Sequence, residues 1–181
     1  LRDVLASNIQ YDYKLLRTKS NKYYFCFPYA ASIHSVNSTA QAACDGGVRN
    51  FQTVYSPQGT VEQYGYHCNR TIRLYHSSIK ILKDQYFKGS LRGRPRVRRM
   101  RLLLQDKLKN MVIDLHHKTA KSLCDSYGTI ILPHFATLQM VKGKGIGEAT
   151  KKEMLTLSHA AFRSRLISKA ELQGCTVLVP R

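Results

Sequence analysis

An aspartate followed by two glycines is the first feature of this sequence that could carry chemistry. Asp45 ends a short apolar segment, and Gly46 and Gly47 allow the backbone to bend directly after it. Carboxylates at strand ends hold the two divalent cations of many enzymes that hydrolyse phosphodiesters. The sequence therefore predicts a metal-binding aspartate of a hydrolytic site, with an aspartate that serves only in the turn as the alternative.

Basic residues are concentrated between residues 88 and 101. Seven cations fall within these fourteen residues, around Gly93 and Pro95, which predicts a flexible cationic connection leading into a helix. This charge density is typical of a surface that contacts phosphates, and a solvated connector is the alternative. Two later arginines could extend the surface. The predicted nucleic-acid-binding residues are Lys88, Arg92, Arg94, Arg96, Arg98, Arg99, Arg101, Arg163 and Arg165.

The overall composition points to the same class of partner. The chain has 29 lysines and arginines against 11 acidic residues, a formal charge of +18. A polyanion would offset the resulting self-repulsion. A membrane surface is the weaker alternative, because the sequence has no apolar run of about 18 residues and its basic residues do not lie opposite an apolar helix face. We expect nucleic acid as the partner and no membrane.

The cysteines argue against a stabilising disulfide framework or a zinc site. All five stand singly, without a C-x-x-C pair, which indicates a reducing intracellular compartment. The chain opens on Leu1 rather than Met and ends at Arg181 after an apolar, strand-like segment. We interpret it as a fragment.

Several other polar residues give weaker evidence of a functional role. Asp114 lies mid-helix among lysines, and a helix-surface ion pair is its preferred interpretation. His116 and His117 either contact nucleic acid or face solvent. His134 follows a predicted strand, but one neutral imidazole is a poor ligand for magnesium.

Hydrophobic periodicity predicts the elements that would position these residues. An aromatic run at 22–28 after a polar turn indicates a short β-hairpin, and 32–39 is a polar linker. Alternating segments on both sides of the turn at 56–59 indicate paired strands. One helix is predicted over 70–87, and a second ends at Tyr127 with Gly128 as its cap.

The second half of the chain alternates strands and helices. Strands are predicted at 129–132 and 176–179, with a third helix over 150–173 between them and Gly174 as its cap. We expect the later strands to be parallel and covered on both faces. The predicted fold class is α/β, in an order that resembles an RNase H-like domain.

A series of motifs resembles one family. Residues 45–51 (D-G-G-V-R-N-F) and 54–59 (V-Y-S-P-Q-G) resemble the opening RuvC motif of the TnpB and Fanzor family, D-P-G-V-R-x-F followed by Y-S-P-x-G. Residues 114–124, 130–135 and 154–170 resemble, in the same order, the central block of Fanzor proteins, the eukaryotic relatives of TnpB. The resemblance covers residues 22–179 and implies a transposon-encoded, RNA-guided DNA endonuclease.

The resemblance also implies a domain organisation. Residues 1–39 would be the end of a wedge-like β domain and a linker, and residues 40–181 a RuvC-like nuclease domain that is incomplete at its C-terminus. The expected architecture is a RuvC-type mixed sheet with flanking helices, preceded by a short β-hairpin from the wedge-like domain. The implied partners are a guide RNA and target DNA, and the oligomeric state is not predicted.

By the same resemblance, Asp45 matches the first metal ligand, and glycine at position 46 in place of proline should be tolerated. TnpB has a glutamate after the apolar strand, where this chain has Pro133 and His134. The displaced glutamate of Fanzor-type sequences would fall at or just beyond Arg181. The third RuvC aspartate and the zinc ribbon, which would bind Zn²⁺, are also missing from this chain. Mg²⁺ is therefore expected only in the complete protein.

Because only one of the family's three metal ligands is present, we expect the chain to be inactive as a nuclease on its own. A non-catalytic nucleic-acid-binding remnant of a transposase-like protein is the alternative. A basic RNA-binding protein of ribosomal kind would explain the charge but not the ordered motifs. If the source is eukaryotic, the resemblance implies location in the nucleus.

Overall fold

The computed structural model describes residues 12–28, 38–89 and 93–180. Most of the predicted linker at 32–39, and Arg92, lie outside them. The described strands are β1 (Lys14–Arg17), β2 (Tyr23–Cys26), β3 (Gln41–Gly46), β4 (Gln52–Tyr55), β5 (Val61–Tyr64), β6 (Thr129–Ile131) and β7 (Thr176–Leu178). The described helices are α1 (Cys68–Lys88), α2 (Arg94–Ser126), α3 (Thr137–Lys142), α4 (Glu148–Leu157) and α5 (His159–Gln173).

β3 to β7 form one mixed sheet in the order β5-β4-β3-β6-β7. β3, β4 and β5 form an antiparallel meander, whereas β6 and β7 run parallel to β3. Ala42 lies beside Ile130, and Ile130 lies beside Val177. With the flanking helices and the preceding hairpin, this is the α/β, RNase H-like arrangement expected from the sequence.

The core lies on one face of the sheet. Ala42 and Cys44 point into it, while Ala43 and Asp45 are exposed on the other face, as strand alternation requires. The outward side chains of Tyr55 and Leu178 are each 48% exposed. The expectation that the strands are covered on both faces is therefore wrong for the described residues, because their helices pack on one side. Core residues from the helices include Ile72, Leu108, Leu123, Leu157, Phe162 and Leu166.

The predicted flexible connection at 88–101 is largely helical. α2 begins at Arg94, so the arginines from 94 to 101 belong to its first turns. Pro95 lies at one of the first two helical positions, where proline has no hydrogen bond to lose and a dihedral angle suited to the helix. This proline starts the helix rather than marking a loop.

Gly128 does not cap α2 in the predicted manner. The helix ends with Tyr127 in an extended conformation, and Gly128 instead donates its amide to the carbonyl oxygen of Ala40 at 2.9 Å. A Cβ at position 128 would lie 1.7 Å from the carbonyl oxygen of Ser38. The glycine is required by this close approach of two backbone segments, which lie far apart in the sequence.

The predicted third helix is two helices. Ser158 adopts a left-handed conformation (φ 46°, ψ 61°) between α4 and α5. The apolar spacing of Met154, Leu157 and Ala161 continues across the break, so periodicity alone does not reveal it. The short helix α3 was not predicted, whereas the cap at Gly174 (φ 69°) is confirmed.

The first hairpin is confirmed and joins the rest of the described chain through side chains. β1 pairs antiparallel with β2, and the Ser20 hydroxyl donates to the carboxylate of Asp106 on α2. Tyr24 and Phe25, neighbours on opposite faces of β2, are 47% and 56% exposed, so both faces of the hairpin reach solvent. Of the helices that the structure describes, none is long and apolar enough to cross a membrane.

Candidate functional site

Asp45 lies at the carboxyl end of β3, the central strand of the sheet. Its backbone pairs with that of Thr53 on β4, and its side chain is exposed. The parallel pairing of β3 with β6 ends where Ala43 lies beside Ile131. Two residues further on, Asp45 is level with Pro133. This is the strand-end position that the sequence predicts for a metal-binding carboxylate.

A buried histidine holds the loop that follows Asp45. The His159 Nε2–H donates to the carbonyl oxygen of Gly47 at 3.1 Å, and its Nδ1 accepts from Gln52 Nε2 at 3.3 Å. A Cβ at Gly46 would lie 3.2 Å from His159 Nδ1, so glycine suits the close packing at this position. Beside the loop is a small cleft lined by Gly46, Gln52, Leu132, Pro133, Phe135, His159, Ala160, Phe162 and Arg163.

The loop is anchored further by Phe51, which is stacked between two histidines. Its ring centroid lies 5.0 Å from that of His116 and 5.1 Å from that of His159, with 18° between the planes in each pair. Phe162 meets Phe51 edge-on at 4.9 Å. We call these four residues the Phe51 stack. Because Phe51 is the residue just before β4, the stack ties the loop after Asp45 to α2 and α5.

Both histidines of the stack are neutral at pH 7. Burial lowers the pKa of His116 and of His159 to about 4 in each case. His116 donates through Nε2 to the carbonyl oxygen of Leu157 at 2.8 Å and accepts at Nδ1 from Arg165 at 2.7 Å. Each imidazole thus has one donor and one acceptor role. The expectation that His116 faces solvent or nucleic acid is wrong, because its position on α2 points into the core; His117 is exposed.

The carboxylates around Asp45 do not make up a magnesium site by themselves. Across residues 12–28, 38–89 and 93–180, no group of three or more histidines, cysteines, aspartates or glutamates is placed to hold a metal ion. Mg²⁺ needs several oxygen ligands in octahedral positions. Asp45 supplies one, and neither Pro133 nor the exposed His134 supplies a second.

The predicted basic surface lies mainly on the first turns of α2. Arg94 and Arg101 flank the ring of Tyr86 on α1, with guanidinium carbons 6.0 and 5.7 Å from its centroid. Arg96, Arg98 and Arg99 are exposed. Lys88 is the exposed last residue of α1, and Arg92 lies outside the described residues.

Arg163 and Arg165 face different sites, although they are two residues apart. Arg163 lines the cleft beside Asp45, whereas Arg165 lines a groove between helices and donates to His116. Residues i and i+2 of a helix do not face the same way. The two arginines therefore cannot extend one basic surface in one direction.

Asp114 has the structural role preferred from the sequence. Its carboxylate accepts from Lys118 Nζ at 2.8 Å, and both side chains are exposed on α2. An exposed pair of this kind contributes little to folding or chemistry.

Sequence patterns did not identify the buried polar residues Gln52, Glu153 and His159 as part of a site, and they placed His116 against nucleic acid or solvent rather than in the core. For some of these residues, helical spacing in the sequence indicates a buried position. His116 shares a face with Val112 and Ala120, and His159 precedes Phe162 and Leu166 at core spacing. Glu153 also precedes the buried Leu157 by one helical turn, but its partner Arg73 comes from a helix 80 residues earlier and is not apparent from local sequence.

Comparison with known proteins indicates the general class of protein to which the chain is similar. No protein-family model matches the chain. Over 138 residues, which are 74% of the chain, it is 28% identical to a protein of Acanthamoeba polyphaga mimivirus named as a putative transposase. The chain spans 29% of the length of that relative. Together with the fold, this similarity supports a transposase-like protein.

Proposed function

We propose that this chain is part of a transposon-encoded, RNA-guided DNA endonuclease of the TnpB and Fanzor kind. In this proposal it supplies the first carboxylate of a RuvC nuclease centre and a surface for guide RNA and target DNA. The protein acts inside the cell, and in the nucleus if the source is eukaryotic.

The observation that carries the proposal is the placement of Asp45. It is the exposed carboxylate at the end of the central strand of an RNase H-like sheet, and the loop after it is held by His159 and the Phe51 stack. A ligand that must stay in position while a metal and a phosphate bind benefits from such a fixed backbone. The similarity to a viral protein named as a putative transposase supports a transposase-like protein in general.

The chain alone does not cleave DNA in this proposal. Asp45 does not fit a magnesium site without further ligands, and no catalytic step follows from one carboxylate. A non-catalytic nucleic-acid-binding remnant is the second candidate, and the same shortage of carboxylates among the described residues favours it.

The two candidates differ in the protein encoded by the complete transcript. If the endonuclease proposal is right, that protein cleaves DNA in the presence of Mg²⁺ and its guide RNA, and Asp45→Ala abolishes cleavage while nucleic-acid binding is retained. Cleavage that survives Asp45→Ala contradicts the role of this residue. A complete protein that binds nucleic acid but never cleaves it establishes the remnant.

The isolated chain gives a second measurement. With supercoiled plasmid and either Mg²⁺ or Mn²⁺, residues 1–181 should produce no nicked or linear product above that of Asp45→Ala. Metal-dependent cleavage that disappears in Asp45→Ala would show that the chain is active by itself.

A further inference from the structure

A groove runs between α1, α2 and the junction of α4 and α5. It consists of two adjoining cavities of about 410 and 600 Å³, which share His76 and Ile79. We call it the helix groove. Among the described residues, it has no lining residue in common with the small cleft beside Asp45. It is therefore a separate site.

The helix groove has an apolar floor and a cationic rim. Ile79, Leu108 and Val112 belong to the floor. The lysines and arginine that line it without a carboxylate partner in the described part of the chain are Lys80, Lys83, Lys109, Lys152 and Arg165.

Acidic groups do little to offset this charge. Asp84 is one acidic residue that lines the groove, and Glu153 is the other. Glu153 is buried, and its carboxylate accepts from Arg73, whose pKa is raised by that hydrogen bond. One carboxylate of the two is therefore already engaged within the protein.

The helix groove continues into the arginine-rich start of α2. Arg101, Gln105 and Lys109 recur every four residues and so share one side of the helix. Gln105 and Lys109 line the groove, and Arg101 contacts Tyr86 on the facing helix α1. The basic surface predicted from the sequence and the helix groove therefore form one continuous strip along α2.

We propose that the helix groove binds the sugar–phosphate backbone of a nucleic acid, with Lys80, Lys83, Lys109 and Lys152 as phosphate contacts. This inference deepens the proposed function, since it names where the nucleic acid lies. Phosphates match a group of lysines without ion-pair partners among the described residues, and the hydroxyl of Ser77 offers a further hydrogen bond.

The length of the helix groove fits several nucleotides. Its lining residues on α1 extend from Arg73 to Asp84, which is about 16 Å at the rise of an α-helix. Phosphates of one strand of a duplex follow each other every 3.4 Å along the helix axis, so about five steps fit this length. An acidic amphipathic protein helix is the other occupant with matching charge. The formal charge of +18 and the continuity with the arginines of α2 favour the polyanion.

The test compares two variants of equal charge. The groove variant carries Lys→Gln at positions 80, 83, 109 and 152. The control variant carries Lys→Gln at positions 14, 22, 142 and 144, which are exposed and do not line the groove among the described residues. Binding of fluorescein-labelled single-stranded DNA, duplex DNA and an RNA–DNA hybrid of about 30 nucleotides is measured by anisotropy over a range of salt concentrations.

We expect the groove variant to bind at least about tenfold more weakly, with a slope of log K against log salt that is smaller by about 3. The control variant should change the affinity by less than about threefold, since its charges lie away from the strip. Equal losses in both variants, or no loss in either, overturn the proposal. Unchanged nucleic-acid binding together with lysine-dependent capture of an acidic amphipathic peptide would assign the groove to a protein partner.

A second pair of variants adds charge instead of removing it. Ser77→Glu places a carboxylate in the groove, whereas Ser78→Glu places one on the next, exposed residue of α1 that does not line the groove in the described structure. Ser77→Glu should weaken binding several-fold more than Ser78→Glu. Equal effects argue against the site.

These measurements are independent of cleavage. Suppose that Asp45→Ala leaves cleavage by the complete protein intact while the groove variant loses binding. The assignment of Asp45 as a nuclease ligand is then wrong, and the groove proposal is supported. If cleavage depends on Asp45 but the groove variant binds like its control, the groove proposal fails alone.

Discussion

The loop after Asp45 and the helix groove are built in opposite ways. The loop is held by buried, uncharged groups: Phe51, two neutral histidines and the amide of Gln52. The groove presents charged side chains on helix surfaces, and its lysines have no ion-pair partner in the residues described. One region has its geometry determined by packing, whereas the other offers charge density with little fixed geometry.

The difference matches the two tasks that we propose. A ligand for a catalytic metal must be held to within a fraction of an ångström, and packing and hydrogen bonds provide this. Contact with a polyanion tolerates mobile side chains, because counterion release depends mainly on the number of charges. Substitutions in the Phe51 stack should therefore change stability, and substitutions in the basic strip should change binding.

Phe51→Ala should have the largest effect. The side chain is fully buried, and its removal leaves a cavity between His116 and His159. We expect a loss of about 3–5 kcal/mol in the free energy of unfolding, measured with urea. Phe87→Ala on the exposed side of α1 is the control and should change this free energy by less than about 0.5 kcal/mol. Similar losses in the two variants would show that the stack does not stabilise the domain.

Acid should destabilise the protein through the same region. The pKa of His159 is about 4 in the folded chain, below its usual value of 6.5. Protons therefore bind the unfolded chain first as the pH falls below 6.5, so the stabilisation present above pH 6.5 is lost as the pH approaches 4. Between about pH 7 and about pH 5 this histidine should account for about 2 kcal/mol.

His159→Gln tests that pH dependence. The variant should be less stable than the unmodified protein at neutral pH, but its free energy of unfolding should fall less on acidification. His134→Gln, at an exposed strand end, should retain the full pH dependence. A pH dependence that is the same in His159→Gln and in the unmodified protein would rule out titration of the buried ring as its source.

The arginines at the start of α2 should affect binding and leave folding nearly unchanged. With Arg94, Arg96, Arg98 and Arg99 replaced by glutamine, we expect affinity for all nucleic-acid sequences to fall at least about tenfold and the salt slope to decrease by about 3. The free energy of unfolding should change by less than about 1 kcal/mol. An unchanged salt slope removes these residues from the interface.

The smallest effect is expected from the exposed pair of Asp114 and Lys118. Asp114→Ala should change the free energy of unfolding by less than about 0.5 kcal/mol, because solvent and salt screen both charges. It should not weaken nucleic-acid binding. A loss of more than about 1 kcal/mol would mean that this carboxylate has a role that its surface position does not reveal.

Part of the fold and part of the candidate site were predictable from sequence. The hairpin, the helix over 70–87, the strand at 129–131 and the cap at Gly174 depend on periodicity and local backbone preference, and each is present. The strand-end position of Asp45 followed from the two glycines after it. The prediction of a flexible connection at 88–101 was wrong, because Pro95 is compatible both with a turn and with the first turn of a helix.

Other features depend on residues that are far apart in the chain. His159 binds the carbonyl oxygen of Gly47 over a separation of 112 residues, and Arg73 reaches Glu153 over 80. The requirement for glycine at position 128 comes from the backbone of Ser38. No local pattern contains such contacts, so these polar residues were not recognised as buried partners.

The amino-acid sequence by itself determined most of the strands and helices, the carboxylate at a strand end and the excess of positive charge, because these are properties of local segments and of composition. Only the tertiary structure decided that His116 and His159 are buried and neutral, that Arg163 and Arg165 face different sites, and which lysines line a common groove. The reason is physical: burial, shifted pKa values and shared surfaces arise when segments distant in sequence pack together.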